Sequence, residues 1–370
     1  MTASRRVRNP GIDVQRRRLL GAAGALAAGP LLGCGGGGDA LAAAAGRTWQ
    51  MGFSPNPPRP TVQSVLQGID VWSRRAELAI IHEELPWTDL LAGKSPDAIL
   101  DDDKVALVQY LRAKGLQLVF MGDLNDGLAR ESEAPMLRAA GRSITEPAVQ
   151  QLYRDYMLAV ARKLQPAFLG LVAESNLIRV AAPALYPAIV KTANDTAAAL
   201  RAAGITTPLM ASVQVETAWG RLGGAGPFVG IAADLSDFPF TQMLGLSSYP
   251  YLGWSQPEDL PLDYYSRLVT GRTLPVMVVE GGWASASAAG IVSSPAAQAR
   301  YVTRHAALLD EVKARALLQL QFADIDLASV PPPVPANLPL FTSIGLADSD
   351  FVPKPALAAW DALFARRYAP

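Results

Sequence analysis

The sequence predicts an α/β fold, a single (β/α)8 TIM barrel that follows an N-terminal signal and a Gly-rich tether. Eight apolar runs of strand length alternate with stretches of helical periodicity. The runs are continuously apolar, which is typical of parallel strands that are buried on both faces. About 325 residues without a change in composition suit one large barrel. A doubly wound open sheet is the alternative, but no Gly-rich phosphate loop follows the first strand.

The predicted elements follow one another in a regular order. The first helix covers Val62–Trp72, Gly115 ends the second, and a third runs at helical spacing from Val149 to Leu164. A long Ala-rich helix ends at Gly204, and the closing helix has Pro355 in its first turn. The strand candidates are, in order, "TWQMGFSP", "AELAIIH", "LQLVFMGD", "FLGLVAE", "PLMASVQVE", "MLGLSSYPY", "LPVMVVEGG" and "LLQLQFAD".

The N-terminus has the features of a bacterial export signal. An arginine-rich start and the apolar stretch "LLGAAGALAAGPLLG" are typical of such a signal, and "RRRLL" resembles its twin-arginine form. "LLGC" resembles a lipobox, which predicts lipidation of Cys34 after removal of residues 1–33. An ordinary cleaved signal with an incidental cysteine is the alternative. We expect a flexible tether over residues 34–46 and the folded domain over 47–370.

Composition limits the partners. Without residues 1–33 the chain has 27 basic and 32 acidic residues, and that balance gives no support to nucleic-acid binding. The single cysteine leaves no disulfide, and two histidines make a zinc site of His ligands a poor expectation. We therefore expect an exported monomer without metal or cofactor. Its lipid would attach it to a membrane, facing the periplasm or the cell exterior.

Two glutamates stand at the C-terminal ends of predicted strands. Glu174 ends the fourth strand and Glu280 ends the seventh. The active sites of (β/α)8 barrels lie at this end, where the two strands face each other across the mouth. Two carboxylates about 5–5.5 Å apart carry out retaining glycoside hydrolysis. A single glutamate at a strand end is more often a solvated loop residue, whereas a pair on these two strands indicates catalysis. No G-x-S-x-G motif supports a Ser-His-Asp hydrolase.

At these residues the sequence resembles the clan-A glycoside hydrolases. "GLSSYPY" followed by "VMVVEGGW" is most similar to the endo-β-1,4-galactanase branch, and the resemblance extends over most of residues 47–370. It implies that Glu174 is the acid/base and Glu280 the nucleophile, with a carbohydrate as substrate. The clan has an asparagine before the acid/base, where this chain has Ala173. Asn176 could compensate for it, and the clan's tryptophan on strand eight is not evident.

Further polar and aromatic residues follow the predicted strands and fit a sugar-binding cleft, because aromatic faces stack on sugar rings while amides and carboxylates bind hydroxyls. Any one of them is about as often a structural loop residue. Glu216 could replace Glu280 in another strand count, and His82 could be a satisfied core histidine. Two functions stay open: a retaining glycosidase, and a non-catalytic carbohydrate-binding lipoprotein with a degenerate barrel. The candidates are His82, Glu83, Glu84, Trp87, Asp123, Asn125, Gln214, Glu216, Tyr249, Tyr251, Trp283, Gln321 and Asp324, together with Asn176.

Overall fold

A computed structural model describes residues 46–222 and 226–370. Eight parallel strands form a closed barrel in sequence order, and β8 pairs with β1. The prediction of a (β/α)8 barrel is confirmed. The predicted signal, Cys34 and all but the last residue of the tether lie outside the described residues. The strands are β1 Gln50–Phe53, β2 Leu78–Glu84, β3 Gln117–Asp123, β4 Phe168–Val172, β5 Leu209–Gln214, β6 Met243–Ser248, β7 Val276–Gly281 and β8 Ala316–Gln319.

Helices surround the barrel. The predicted helix Val62–Trp72 has these same bounds, and its N-cap Thr61 accepts a hydrogen bond from the Ser64 amide. Pro355 begins the closing helix, as predicted. The helices are α1 Val62–Trp72, α2 Trp87–Leu91, α3 Pro96–Asp103, α4 Val105–Ala113, α5 Pro135–Ala139, α6 Pro147–Leu164, α7 Ser175–Ala181, α8 Tyr186–Ala202, α9 Val215–Ala218, α10 Ala232–Asp237, α11 Pro295–Val312 and α12 Pro355–Phe364.

The described residues form two apolar clusters. The smaller fills the barrel interior with inward-facing side chains such as Ile80, Met121, Met210 and Val279. The larger lies between the strands and the helices. Gly170 belongs to the interior, where a Cβ atom would approach the Met121 sulfur to 2.2 Å. The interior is thus packed rather than hollow, so ligands reach only its ends.

Two irregularities in strand pairing lie close to the candidate glutamates. Ser247 of β6 pairs with Glu280 instead of Val279, so β7 contains an extra residue at this point. In β4 the pairing with β5 also skips a residue, between Gly170 and Val172. Such β-bulges redirect side chains and are frequent beside active sites. Gly281 completes the turn with φ +156°, where a Cβ atom would lie 2.3 Å from a carbonyl oxygen.

Several strand ends differ from the prediction. β2 continues to Glu84 because its pairing with β3 extends to Asp123, so the polar residues after His82 belong to the strand. β4 ends at Val172, and Glu174 follows in a left-handed conformation with φ 48°. β5 ends at Gln214, and Glu216 lies in α9. β8 ends at Gln319, which leaves Gln321 and Asp324 in the following loop.

The two ends of the described domain are joined. The Arg47 amide donates to the Arg367 carbonyl at 2.8 Å, and the Ala369 amide donates to the Arg47 carbonyl at 2.9 Å. Arg47 also pairs with Glu77, the residue before β2. These bonds tie the last residues to the N-terminal end of the barrel. Among the described helices, none combines the length and apolarity that a membrane span requires.

Candidate active site

Glu174 and Glu280 are brought to the same mouth and share a neighbour. The Ser247 hydroxyl donates to Glu174 Oε1 at 2.6 Å. Ser247 is also the strand partner of Glu280. The Glu174 amide donates to the Ser212 hydroxyl at 2.9 Å, which holds the turn after β4 against β5. Left-handed backbone in a non-glycine residue is strained and recurs at functional sites.

Arg130, in the loop after β3, connects the acidic residues. Its Nε donates to Glu174 Oε2 at 2.7 Å, and its Nη1 donates to both oxygens of Asp123 at 2.6 and 2.7 Å. Arg130 is only 5% exposed. Burial opposes its charge, but the surrounding carboxylates keep the pKa of Arg130 above its usual value. Burial would raise the pKa of Asp123, yet Arg130 and His82 lower it to about 2.

His82 lies between Asp123 and Glu280. Its Nε2 is 3.6 Å from Asp123 Oδ2 and its Nδ1 is 3.6 Å from Glu280 Oε2, both too long for a direct hydrogen bond. Burial disfavours the imidazolium, but the two carboxylates hold the pKa of His82 above its usual value. Burial and the charge of Glu174 raise the pKa of Glu280, while His82 and Arg130 oppose that rise. The site is therefore a chain of alternating charges from Glu174 to Glu280.

The two oxygens of Glu280 differ. The Tyr249 hydroxyl donates to Oε2 at 3.3 Å, whereas Oε1 is buried without a hydrogen-bond partner among the described residues. Burial and the nearby carboxylates raise the pKa of Tyr249 well above its usual value, so the phenol keeps its proton. One Glu280 oxygen is thus oriented by the protein and the other is free to react.

The two predicted asparagines bind protein groups. Asn125 donates to the Arg130 carbonyl at 2.7 Å and accepts from Arg130 Nη1 at 3.0 Å, which folds the loop back toward Glu174. Asn176 donates to the Gln214 carbonyl at 2.9 Å and accepts from the Gln214 amide at 2.8 Å. Its side chain is only 1% exposed, so in this conformation the Asn176 amide is engaged by β5. Ala173 is part of the apolar interior.

Glu216 is buried below the mouth among hydrogen-bond donors. The Tyr264 hydroxyl and the Gln214 side-chain amide both donate to its carboxylate. Burial raises the pKa of Glu216 to about 7, and hydrogen bonds from Tyr264 and the Tyr249 backbone amide oppose the rise. The carboxylate thereby supports the backbone of Tyr249, the residue that contacts Glu280.

The remaining candidates lie at different depths. Trp87 and Trp283 are buried in the outer core, and the Trp283 indole donates to the Ser293 hydroxyl at 3.0 Å. The Tyr251 hydroxyl donates to the Leu340 carbonyl at 3.0 Å, and Gln321 donates to the Phe341 carbonyl at 3.1 Å. The other three are Glu83, which pairs with Lys104 on the outer side; Glu84, which is exposed; and Asp324, which pairs with Lys354.

Unpartnered polar atoms concentrate among the predicted residues. Within the described part of the chain, ten buried side-chain polar atoms lack a hydrogen-bond partner. Four of them belong to candidate site residues, namely His82 Nε2, Trp87 Nε1, Glu280 Oε1 and Gln321 Oε1. Buried polar atoms are normally paired, so the unpartnered atoms of His82 and Glu280 at the mouth indicate groups that bind a ligand or water.

Arg130, Ser247 and Tyr264 were not anticipated from the sequence. Arg130 lies in the polar loop "NDGLARESEA", which is typical of a solvated surface segment. The hydroxyls of Ser247 and Tyr264 contact the carboxylates of Glu174 and Glu216 from residues distant in sequence. Only the run "GLSSYPY" at the end of a predicted strand carries a signal, because a serine on an inward-facing strand position beside the mouth is unusual for a packed interior.

His305, the other histidine, is part of a separate buried network. Its Nε2 lies 2.8 Å from the Tyr265 hydroxyl, which in turn is 2.9 Å from the Ser248 hydroxyl. Burial lowers the pKa of His305 to about 3, so this ring is neutral at physiological pH. In residues 46–222 and 226–370 no group of three or more His, Cys, Asp or Glu side chains is arranged to hold a metal ion.

Comparisons with solved structures show the fold. No protein-family model and no curated protein matches the sequence. An exo-β-1,4-mannosidase from Opitutaceae bacterium strain TAV5 superposes with a TM-score of 0.64 at 16% identity, over 87% of this chain and 60% of that one. A GH5_18 protein from Streptomyces cattleya, in complex with GlcNAc, gives 0.60 at 16% identity, over 88% and 83% of the two chains. β-Glucuronidase 2 from Bacteroides uniformis gives 0.57 at 11% identity, over 86% and 35%.

The protein is thus a (β/α)8 barrel, and the solved structures that it resembles include an exo-β-1,4-mannosidase and a β-glucuronidase. It spans only 60% of the mannosidase's length. At these identities the likeness establishes the architecture, and any activity of this chain has to be argued from its own residues.

Proposed function

We propose that this protein is a retaining glycoside hydrolase that acts on a β-linked glycan, with Glu280 as nucleophile and Glu174 as acid/base. The observation that carries the proposal is the state of the Glu280 carboxylate. Tyr249 orients one of its oxygens, His82 lies beside it, and the other oxygen is buried and unpartnered among the described residues. An oriented carboxylate with one free oxygen, at the mouth of a barrel, is what nucleophilic attack on an anomeric carbon requires.

In the first step Glu280 Oε1 forms a bond to the anomeric carbon while the bond to the leaving oxygen breaks. Glu174 gives that oxygen a proton. In the second step Glu174 takes a proton from water, and the water oxygen replaces Glu280 on the sugar. Ser247 suits both steps because a hydroxyl can donate to a carboxylate and accept from a carboxylic acid.

The nucleophile has to be ionised. Burial raises the pKa of Glu280, and the positive charges of His82 and Arg130 oppose this. Those two residues are therefore proposed to keep Glu280 charged at working pH. Arg130 also holds Glu174 Oε2, so the proton that Glu174 transfers has to reside on Oε1, the oxygen that faces Ser247.

A non-catalytic carbohydrate-binding protein is the second candidate. Two observations favour it. Ala173 has no side-chain hydrogen-bond donor where the clan that the sequence resembles has an asparagine, and the amide of Asn176 is engaged by the backbone of Gln214. The loss of a hydrogen bond to the 2-hydroxyl removes transition-state stabilisation of several kcal/mol. Under this alternative the barrel binds a glycan without cleaving it.

We further propose that the mature protein is a monomer, lipid-anchored through Cys34 on the periplasmic or outer side of a bacterial membrane. This proposal rests on the signal-like sequence before Cys34. It would place the barrel beside glycans outside the cytoplasm.

Substitution of the glutamates tests the function. The wild type should hydrolyse at least one member of a panel of aryl β-glycosides and β-linked oligosaccharides. Glu280→Gln should abolish turnover while glycan affinity persists, because the amide retains the shape and loses the negative charge. Glu174→Gln should slow substrates with poor leaving groups much more than activated aryl glycosides. Glu311→Gln, an exposed substitution on α11, is the matched control and should retain full activity.

Product anomers followed by NMR should show retention of configuration. Tight binding of an oligosaccharide that the wild type never cleaves would support the binding protein instead. Inversion of the anomeric configuration would refute the assigned mechanism while leaving the glycosidase in place.

A further inference from the structure

We propose that residues 331–343 form a strap that closes the nucleophile side of the mouth, so that the site is a pocket for one terminal, non-reducing sugar unit. This inference rests on the proposed function and specifies its substrate. It predicts that the protein removes single units from the ends of β-linked chains and does not cut within them.

The strap is held to loops on two sides of the mouth. The Asn337 side chain donates to the Leu128 carbonyl in the loop after β3, at 2.8 Å. The Tyr251 hydroxyl, after β6, donates to the Leu340 carbonyl at 3.0 Å. The Phe341 ring packs edge-on against Tyr249 with centroids 5.0 Å apart. These contacts attach the strap to the loop of Arg130 on one side and to the loop of Tyr249 on the other.

The positions of these contacts indicate that the strap crosses the mouth. In the closed barrel, β3 and β6 are three strands apart and lie on nearly opposite sides. Asn337 and Leu340 are joined by three peptide units, which span at most about 11 Å. A segment this short can contact both loops only if it crosses the space between them.

The rest of the loop lies over the strands that carry the nucleophile. Before the strap, the Asp326 amide donates to the Pro58 carbonyl in the loop after β1, at 2.9 Å. At its last residue, the Ser343 carbonyl accepts a hydrogen bond of 2.9 Å from the amide of Ser285, just beyond β7. The loop therefore follows the rim over β8, β1 and β7, and none of these contacts extends to β4 or β5. Glu280 and His82 are on the covered side, and Glu174 is on the other.

This asymmetry determines which end of a glycan fits. The sugar unit attacked by the nucleophile binds on the Glu280 side, and the leaving group lies on the side of the acid/base. A closed Glu280 side accepts only a unit with nothing attached beyond it, which is the non-reducing end of a chain. The Glu174 side, which the strap does not cross, would accept a leaving group of any length. An internal segment of a polymer would have to pass through the strap.

The test uses β-1,4-linked mannohexaose, cellohexaose and galactohexaose, each labelled at the reducing end and prepared with a free or a methyl-blocked non-reducing end. Chromatography of the labelled products separates loss of single units from internal cuts. Calorimetry with the Glu280→Gln protein measures the binding of the same six compounds without turnover. A variant in which Gly-Ser-Gly-Ser replaces residues 328–339 removes most of the strap, including the Asn337 contact with Leu128. The two ends of the shortened loop should stay joined, because the Ile325 amide donates to the Thr342 carbonyl at 2.9 Å.

The wild type should shorten free hexaoses one unit at a time, and blocked hexaoses should be neither cleaved nor bound. The excised variant should gain binding or cleavage of blocked chains, and Asn337→Ala should gain part of this even if the excision prevents folding. Val352→Ala, a truncation of the same kind at an exposed residue beyond the strap, is the matched control and should behave as the wild type.

Internal cleavage or tight binding of blocked hexaoses by the intact protein would refute the proposed pocket. Internal cleavage would still be consistent with a glycoside hydrolase. Binding of free but not blocked hexaoses without any cleavage would support the pocket and overturn the hydrolase. If no compound is bound or cleaved, both proposals fail.

Discussion

Replacement of Arg130 by methionine tests the charge network at the mouth. Arg130 is buried and pairs with both Asp123 and Glu174. The pKa of Asp123, lowered from 3.8 to about 2, corresponds to roughly 2 kcal/mol of stability at neutral pH by linkage. Removing one partner of a buried ion pair costs about 3–5 kcal/mol. We therefore expect Arg130→Met to lower the free energy of unfolding at pH 7 by about 3–5 kcal/mol.

The pH dependence of this loss distinguishes charge from packing. In the wild type, the lowered pKa of Asp123 contributes stability above pH 3.8 that is lost as the pH falls through about 2. In the variant, burial without Arg130 raises the pKa of Asp123. A raised pKa gives stability that is complete below the unfolded value and lost as the pH increases. The variant should therefore recover stability relative to the wild type between pH 7 and about pH 4.

Urea unfolding at several pH values, followed by tryptophan fluorescence, measures both effects. Arg142→Met is the matched control, because Arg142 pairs with Glu146 on the surface and its loss should change the midpoint little. A destabilisation that is equal at pH 4.5 and pH 7 would show that Arg130 acts through packing. An unfolding free energy unchanged at both pH values would refute the network itself.

Three further predictions follow from single residues. His82→Ala should move the acid limb of the pH–rate profile to higher pH, because the positive charge of His82 opposes the raised pKa of Glu280. An unchanged acid limb would show that His82 does not influence the ionisation of Glu280. Glu216→Gln should gain stability relative to the wild type as the pH rises from 5 to 8. The raised pKa of Glu216, about 7, gives the wild type stability that is lost over this range. A difference in the free energy of urea unfolding that stays constant with pH would contradict this prediction. Cys34→Ser should release the protein from the membrane fraction, and retention on immunoblots of processed protein would rule out the lipid anchor.

The fold could be predicted because its signals are local. The continuous apolar runs and the 3.6-residue periodicity between them depend only on neighbouring residues, and α1 has the bounds that its periodicity predicts. Strand ends were less accurate because pairing decides them. β2 includes Glu83 and Glu84, although polar residues after an apolar run are typical of a loop, because β3 offers partners as far as Asp123.

The connections within the site could not be predicted, since they join residues distant in sequence. Arg130 contacts Glu174 across 44 positions, and Asn125 makes this possible by holding the Arg130 carbonyl. The bulges near Glu174 and Glu280 depend on register with neighbouring strands, which sequence periodicity does not contain. The segment "PPPVPANLPLF" resembles a linker in composition, and only its contacts with Leu128 and Tyr251 identify it as a strap.

In this mouth, the carboxylate oxygens with protein hydrogen-bond partners differ in role from the buried polar atoms without them. On the Glu174 side each carboxylate oxygen has a protein partner, Arg130 for one and Ser247 for the other. On the other side, Glu280 Oε1 and His82 Nε2 are buried without hydrogen-bond partners among the described residues. A substrate therefore gains most binding energy from hydrogen bonds to Glu280 Oε1 and His82 Nε2, because these bonds are missing and no existing bond has to break. Binding should thus depend on the Glu280 side, while turnover depends on how readily Glu174 exchanges its proton within the Arg130 pair.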